Sequence, residues 1–170
     1  MAAGVCIMSG AQEKSANEIE GLVLKAARGG GLPLGLAEDL AMATAYLDLD
    51  KLSTCPCSSG NAGLEIPQAL DAIAAGTGPK TVEADLALIE AYVANAEVHS
   101  CKTLVWEATS NGAIFHRFED DTPDEHTPLG RRTVSQELLT HLHDLAVKTH
   151  VPETESSRAG GAGAGLTDND

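Results

Sequence analysis

Apolar residues recur every three or four positions in five stretches of the chain, and this spacing predicts five helices. The first begins at the capping box that Ser15 and Glu18 form, and it ends where three consecutive glycines, residues 29–31, remove the helical preference. The other helices are expected after Gly35, at residues 67–75, at residues 82–97, and from Thr133 or Ser135 onwards. Residues 50–63 and 119–132 lie between these stretches and are predicted to be loops.

The strongest strand signal lies at residues 101–118. Two runs of β-forming residues flank Asn111-Gly112, a dipeptide typical of two-residue hairpin turns. Counting outwards from this turn predicts the following facing pairs: Ser110 with Ala113, Glu107 with His116, Trp106 with Arg117, and Val105 with Phe118. Because a lone hairpin is only marginally stable in water, another layer must cover it. The prediction is an α+β or α/β fold in which Ala- and Leu-rich helices pack on a small sheet containing this hairpin.

Length and composition fit one globular domain. The chain has 170 residues, of which 43% are hydrophobic and 21% charged, and a chain of this size buries enough surface to fold without disulfides or metals. We expect a loose leader at residues 1–14, a single domain at residues 15–150, and a Gly/Ala-rich tail at residues 151–170. The four cysteines (Cys6, Cys55, Cys57 and Cys101) are too few for a disulfide framework.

The charge balance disfavours two classes of partner. Lys and Arg number 11 against 25 Asp and Glu, which gives a formal net charge of −14 and repels nucleic acid phosphates and anionic lipid heads. The first residues lack the charged start and apolar core of a signal peptide, and no apolar run reaches the roughly 20 residues of a membrane span. We therefore expect a cytoplasmic protein that binds neither nucleic acid nor membrane.

Two segments carry a resemblance to a known family. The first contains Asn17-Glu18-Ile19-Glu20, Lys25-Ala26-Ala27-Arg28-Gly29 and Gly35-Leu36-Ala37-Glu38-Asp39. The second is Val151-Pro152-Glu153-Thr154-Glu155-Ser156-Ser157-Arg158, followed by Gly161-Ala162-Gly163-Ala164-Gly165 and Asp168-Asn169-Asp170. Together they resemble an uncharacterised bacterial family of short proteins that is labelled only as a domain of unknown function. The resemblance implies that the first helix and the tail belong together, and it implies no reaction.

The first helix carries a polar stripe of functional interest. On a helical wheel, Glu18, Gly21, Lys25 and Arg28 lie along one side, next to the apolar stripe. Lys25 and Arg28 have the charge to hold a carboxylate or phosphate, and Glu18 is the candidate catalytic acid or base. The alternative is a solvated helix face, whose cations are favoured by the nearby helix C-terminus.

The tail supplies the second half of this predicted ligand-binding site. Ser157 and Arg158 offer donors to an anion, while Gly161 and Gly163 allow the backbone to approach it closely. The G-x-x-x-x-G-K-[ST] spacing of a phosphate loop is absent. Composition alone is typical of a flexible end, whereas the resemblance favours a tail that packs on the first helix or on a neighbouring subunit.

Other reactive residues give weaker signals. Glu107 and His116 are candidates for an acid–base pair, with a cross-strand polar contact as the alternative. Cys55-x-Cys57 has one intervening residue, whereas zinc sites commonly use two to four, and His141 and His143 point to opposite sides of their helix. No metal and no cofactor are therefore predicted. A Cys–His nucleophile pair stays open, but no spacing in the sequence identifies its members.

Two functions from different classes fit these features. The first is a small metabolic enzyme, or a subunit of one, that binds a small anionic metabolite through Lys25, Arg28 and Arg158. The second is a non-catalytic assembly or accessory protein whose first helix and tail form an interface with another copy of the chain or with a partner enzyme. Whether the protein is an enzyme is left open, because neither set of residues names a substrate.

Overall fold

The computed structural model describes residues 11–52, 54–57 and 62–149. The predicted tail at residues 151–170, with Ser157, Arg158, Gly161 and Gly163, lies outside the described residues, and so do residues 1–10 of the predicted leader. Within the described residues the chain forms helices and two small antiparallel sheets. The predicted α+β fold, including a hairpin, is confirmed.

Helices and strands alternate irregularly along the chain. The helices are α1 (Ala16–Gly29), α2 (Leu34–Ala43), α3 (Ala62–Ala74), α4 (Leu86–Ser100) and α5 (Gln136–Val147). The strands are β1 (Gln12–Lys14), β2 (Lys80–Glu83), β3 (Thr103–Ala108), β4 (Gly112–Glu119) and β5 (Arg132–Val134). Single 3-10 turns at Thr44–Tyr46 and Leu49–Lys51 follow α2. The larger sheet has the order β2-β4-β3, and β1 pairs with β5 in the smaller one.

Helix α1 begins at the capping box that the sequence predicts. The Ser15 hydroxyl accepts a hydrogen bond from the Glu18 backbone N–H at 3.3 Å, and the Glu18 carboxylate accepts one from the Ser15 backbone N–H at 2.9 Å. These bonds satisfy two amides that the first turn leaves without helical partners. The helix ends at its C-cap, Gly30, inside the predicted glycine stop. Its buried side holds Ile19, Val23, Ala26 and Ala27.

The hairpin forms, but its predicted register is wrong. The Thr109 N–H donates to the Gly112 oxygen at 2.9 Å, so the turn residues are Ser110 and Asn111 rather than Asn111 and Gly112. The observed facing pairs are Ala108 with Ala113, Glu107 with Ile114, Trp106 with Phe115, Val105 with Arg117, and Leu104 with Phe118, with a bulge between Val105 and Trp106. Trp106 therefore does not face Arg117, and Glu107 does not lie directly opposite His116.

Strand β2 explains why Gly112 is not a turn residue. It pairs with β4, placing Glu83 opposite Gly112 and Val82 opposite Ala113. A Cβ on Gly112 would lie only 2.0 Å from the Val82 oxygen. The missing side chain therefore serves close approach of two strands, and the glycine is a strand residue.

Three short strands and the starts of two helices differ from the sequence predictions. β2 occupies the first part of the predicted helix at residues 82–97, which begins later, at the N-cap Asp85. β1 lies in the predicted leader and pairs with β5, so Gln12 faces Val134. α3 begins at Ala62, within the predicted 50–63 loop, and runs through Pro67. Strands of three or four residues are too short to show a periodic pattern.

The core lies between the larger sheet, on which α3 and α4 pack, and the pair of α1 and α5, with α2 in contact with α1, α3 and α4. Its largest fully buried side chains include Ile19, Leu40, Tyr92, Phe115 and Leu142. α1 packs against α2 on one side and α5 on the other, and α5 buries Leu139, Leu142, Leu145 and Ala146. No helix in the described ranges has the length and apolar character needed to cross a membrane.

Candidate functional site

A pocket of about 510 Å³ opens where the chain after Leu49–Lys51 passes the first turns of α5. Cys55 and His141 both line this pocket, and both are half-buried. The wall between them also includes Asp50, Glu137 and Leu138. A thiol and an imidazole that face one pocket are a candidate nucleophile and its acid–base partner. We call Cys55, Cys57 and His141 the thiol site.

The Cys-Pro-Cys segment of the thiol site is pressed against α1. Pro56 and Cys57 are buried, and the Cys57 sulfur lies 4.0 Å from the Val23 backbone oxygen. At the end of the same helix, a Cβ on Gly30 would lie only 2.0 Å from the Cys57 carbonyl oxygen. Gly30 therefore does more than stop the helix, because it lets the loop touch the helix end.

Helix α5 holds His141 on the opposite wall of the pocket. Its N-cap is Ser135, whose hydroxyl accepts from the Leu138 N–H at 3.3 Å. The Ser135 N–H in turn donates to the Asp50 carboxylate at 3.0 Å. This bond ties the start of α5 to the 3-10 turn that precedes residues 54–57, which we call the thiol loop. The far end of α5 is also fixed, because a Cβ on Gly29 would lie 1.8 Å from the Leu145 oxygen. Both ends of the helix are therefore held in place.

Groups around the Cys55 sulfur stabilise its thiolate. Donation from the Cys57 thiol is the largest cause, and the Cys57 backbone N–H, the charge of protonated His141 and a hydrogen bond from that imidazole add to it, while burial opposes them. Together they lower the pKa of Cys55 to about 6. The hydrogen bond to Cys55, followed by burial, raises the pKa of Cys57. The pair therefore loses its first proton from Cys55.

The thiol site is not built like a metal centre. Across residues 11–52, 54–57 and 62–149, no three His, Cys, Asp or Glu side chains are placed to hold a metal ion. What the arrangement offers is a thiolate facing the pocket, a buried thiol behind it and an imidazole beside it. Such a thiolate attacks electrophilic atoms, and the imidazole can give a proton to the group that leaves.

The polar stripe predicted on α1 is divided between two clefts. Glu18, Gly21 and Lys25 border a groove of about 440 Å³ between α1 and α5, together with His143 of α5. Hydrogen bonds from the Ser15 backbone and hydroxyl lower the pKa of Glu18. Glu18 thus acts as a helix cap, and its predicted catalytic role stays a prediction.

Lys25 and Arg28 meet a third cation at the C-terminal ends of α1 and α5. They line a cleft of about 420 Å³ with Lys148 and Thr149, and none of the described residues lining it is acidic. One Arg28 guanidinium nitrogen donates to the Leu32 carbonyl at 3.4 Å. Two helix C-termini attract cations without any ligand, so this geometry fits both alternatives that the sequence left open.

A family model covers part of both clefts and part of the thiol site. The chain is similar to Protein of unknown function (DUF3726) over residues 14–66. The predicted resemblance to an uncharacterised family is confirmed for this stretch, which includes Glu18, Lys25, Arg28 and the Cys55-x-Cys57 motif. His141 and the second resembling segment lie outside the matched residues. No curated protein and no solved structure matches the chain.

Two further polar pairs are placed by the structure. The His116 Nε2 and Glu107 Oε1 atoms lie 3.5 Å apart on the exposed side of the hairpin, so the predicted contact exists although the register differs. Glu97 is only 5% exposed and binds the Leu104 N–H at 2.7 Å and the His126 Nε2 at 2.5 Å. No sequence signal pointed to this second pair, because its members lie on separate elements.

The thiol site was only partly foreseeable. The sequence placed Cys55 and Cys57 in a loop and His141 on a helix facing away from His143, and the structure agrees, since His143 borders the α1 groove instead. The loop and α5 come together because both pack on α1. A short sequence motif does not reveal this packing, since it involves residues far apart in the chain.

Proposed function

We propose that this protein is a small metabolic enzyme that uses the Cys55 thiolate as a nucleophile, with His141 as its acid–base partner. The observation that carries the proposal is that Cys55 and His141 line one pocket while the Cys57 thiol donates to the Cys55 sulfur. The pocket volume of about 510 Å³ is within the range of small-molecule sites. A reducing compartment such as the cytoplasm belongs to this proposal, because the nucleophile must stay a thiolate.

The chemistry follows from the three side chains. The Cys55 thiolate attacks an electrophilic atom of the bound molecule and forms a covalent bond to it. Protonated His141 gives its proton to the departing group and, once neutral, accepts one from the next nucleophile. The carboxylates of Asp50 and Glu137 face the same pocket, which favours a neutral or positively charged substrate.

The test is the pH dependence of Cys55 alkylation by iodoacetamide, measured in a Cys6→Ser/Cys101→Ser background. We expect a rate midpoint near the Cys55 pKa of about 6. At pH 5.5 a thiol of pKa about 6 is about 24% ionised, against about 0.1% at the ordinary 8.5. A low-pKa thiolate is also a weaker nucleophile by about 10- to 20-fold, so the net gain at pH 5.5 is about 10- to 25-fold.

Two variants on α5 sharpen the test. His141→Gln removes a charge and a donor beside Cys55 and should move the alkylation midpoint upward, while His143→Gln, on the other side of the helix, should leave it unchanged. A midpoint near that of an ordinary thiol in the parent protein, or equal midpoints in all three proteins, would contradict the proposal.

A second proposal is that a small anionic metabolite binds the cleft lined by Lys25, Arg28 and Lys148. It is favoured because none of the described residues lining this cleft is acidic. A small carboxylate or phosphate bound there would raise the melting temperature of the full chain by mass action. Arg28→Gln should abolish the rise. Glu20→Gln, an exposed change elsewhere on α1, should preserve it, and a rise that survives Arg28→Gln would place the ligand elsewhere.

A further inference from the structure

The nucleophile proposal leaves the chemistry of Cys57 unused. Its thiol is within hydrogen-bonding reach of the Cys55 sulfur, and it is 1% exposed. Cys55 lines the pocket, whereas Cys57 lies behind it, against α1. A substrate bonded to Cys55 would therefore extend into the pocket, with the Cys57 sulfur on the opposite side.

This order of atoms is the one that disulfide exchange requires. A thiolate attacks a disulfide along the line of the S–S bond, and the sulfur at the far end leaves. With the Cys57 sulfur against α1 and the substrate in the pocket, the sulfur that leaves is the one on the pocket side of Cys55. One intervening residue, Pro56, holds the two cysteines close in the chain, and it is itself buried.

We infer that the substrate class of this site is a disulfide, and that Cys55 and Cys57 form a dithiol that reduces small neutral or cationic disulfides. The inference rests on the proposed role of Cys55 as the nucleophile. It adds a second reacting sulfur, Cys57, and a chemical identity for the molecule in the pocket.

The reaction balances in two steps. The Cys55 thiolate attacks one sulfur of the substrate disulfide, forming a mixed disulfide and releasing the other half as a thiolate, which takes a proton from His141. The Cys57 thiol then gives up its proton to solvent, and its thiolate attacks the Cys55 sulfur. The Cys55–Cys57 disulfide forms, and the second half leaves as a thiolate that takes up a proton from solvent. The substrate disulfide gains two electrons and two protons, and the protein dithiol loses them. A small thiol compound then reduces the protein disulfide, closing the cycle.

Charge in the pocket predicts which disulfides react. The lining carboxylates of Asp50 and Glu137 repel an anionic disulfide such as glutathione disulfide and attract cystamine, which carries two amines. Replacing Glu137 by Gln should lower the ratio of the cystamine rate to the glutathione disulfide rate by about threefold at low ionic strength. Asp144→Asn is the matched control, because Asp144 is exposed on the same helix but does not line the pocket.

The experiment uses cystamine with the full chain in the Cys6→Ser/Cys101→Ser background, followed by intact mass and released cysteamine. The expected result is release of two cysteamine molecules per chain and a protein lighter by two hydrogen atoms. Cys57→Ser should release one and retain the other as a stable adduct on Cys55, and Cys55→Ser should release none.

The outcomes separate this inference from the nucleophile proposal. If the parent and Cys57→Ser both retain a stable adduct, Cys57 does not resolve the mixed disulfide and the inference is wrong, although Cys55 stays a nucleophile. If neither protein reacts with cystamine while iodoacetamide alkylates Cys55 at pH 5.5, the substrate class is wrong and the nucleophile stands. If alkylation at pH 5.5 also fails, both are wrong.

Discussion

Gly30→Ala is the substitution that most directly tests how the fold holds the thiol site. An added Cβ would lie 2.0 Å from the Cys57 carbonyl oxygen and 3.3 Å from the Ala26 oxygen. Because the near neighbour is backbone, no side-chain rotation relieves the contact. The loop and the helix end must separate by about 1.4 Å to restore an ordinary van der Waals distance.

The free energy of unfolding should fall by about 1–2 kcal/mol in this variant. Overpacking a tight contact costs about 1–3 kcal/mol, and replacing glycine returns about 0.4–1 kcal/mol by restricting the unfolded chain. Gly30 has φ −77° and ψ −9°, which alanine adopts freely, so no backbone strain complicates the comparison. The corresponding loss in melting temperature is about 2–8 °C for a chain of this size.

The assay combines thermal unfolding with the pH profile of Cys55 alkylation. Displacing Cys57 weakens its donation to Cys55, so the alkylation midpoint should rise above about 6. Gly21→Ala is the control, because nothing lies within 4 Å of its added Cβ, and we expect it to stabilise α1 by about 0.5–1 kcal/mol. A Gly30→Ala protein as stable as Gly21→Ala, with an unchanged midpoint, would refute the contact between α1 and the thiol loop.

Three further predictions concern other parts of the molecule. Glu97→Ala should destabilise the protein by about 1–3 kcal/mol in urea unfolding, because the Leu104 N–H loses its acceptor. A loss below the error of the method would show that water replaces the carboxylate. Ser15→Ala should cost about 0.5–2 kcal/mol at neutral pH. The Ser15 backbone N–H and hydroxyl both donate to Glu18 and lower its pKa below the ordinary 4.5. Only the hydroxyl is lost in alanine, so the part of the cost that comes from its bond to the carboxylate is present above pH 4.5 and is lost as pH falls through the folded pKa. Urea midpoints at pH 7 and pH 3 check this, and an equal loss at both would contradict it. Arg158→Ala should weaken anion binding in a thermal-shift titration without altering the oligomer if the tail is a ligand site; a changed oligomer alone, seen by light scattering, favours the assembly alternative.

The helices could be predicted because their signals are local. Ser15 and Glu18 are three positions apart, and the apolar stripe of α1 repeats within single turns, so neither depends on the rest of the fold. Gly112 shows the opposite case. Next to Asn111 it has the pattern of a turn residue, yet its place in the sheet is decided by Val82, which lies far away in the sequence. Such competition between local preference and tertiary packing cannot be seen in one segment.

In the candidate site, too, local features could be predicted and tertiary contacts could not. Sequence reasoning identified Lys25 and Arg28 as neighbours, and they do share a cleft. It also noted the two cysteines of the thiol loop and placed His141 on a helix. The contact between Cys55 and His141 arises because both segments pack on α1. The lowered pKa of Cys55 depends on donation from Cys57, which is held in place by its burial.

The two glycines at the end of α1 have a consequence for how the protein should fail on heating. Gly29 lies against the helix that carries His141, and Gly30 lies against the loop that carries Cys57, so both halves of the thiol site are positioned by one helix end. Among the described residues, the contacts that hold the thiol site are therefore also contacts of the core helix α1. The reactivity of the site should disappear in the same cooperative transition as the native fold, whereas the exposed hairpin pair of Glu107 and His116 is free to fray at lower temperature.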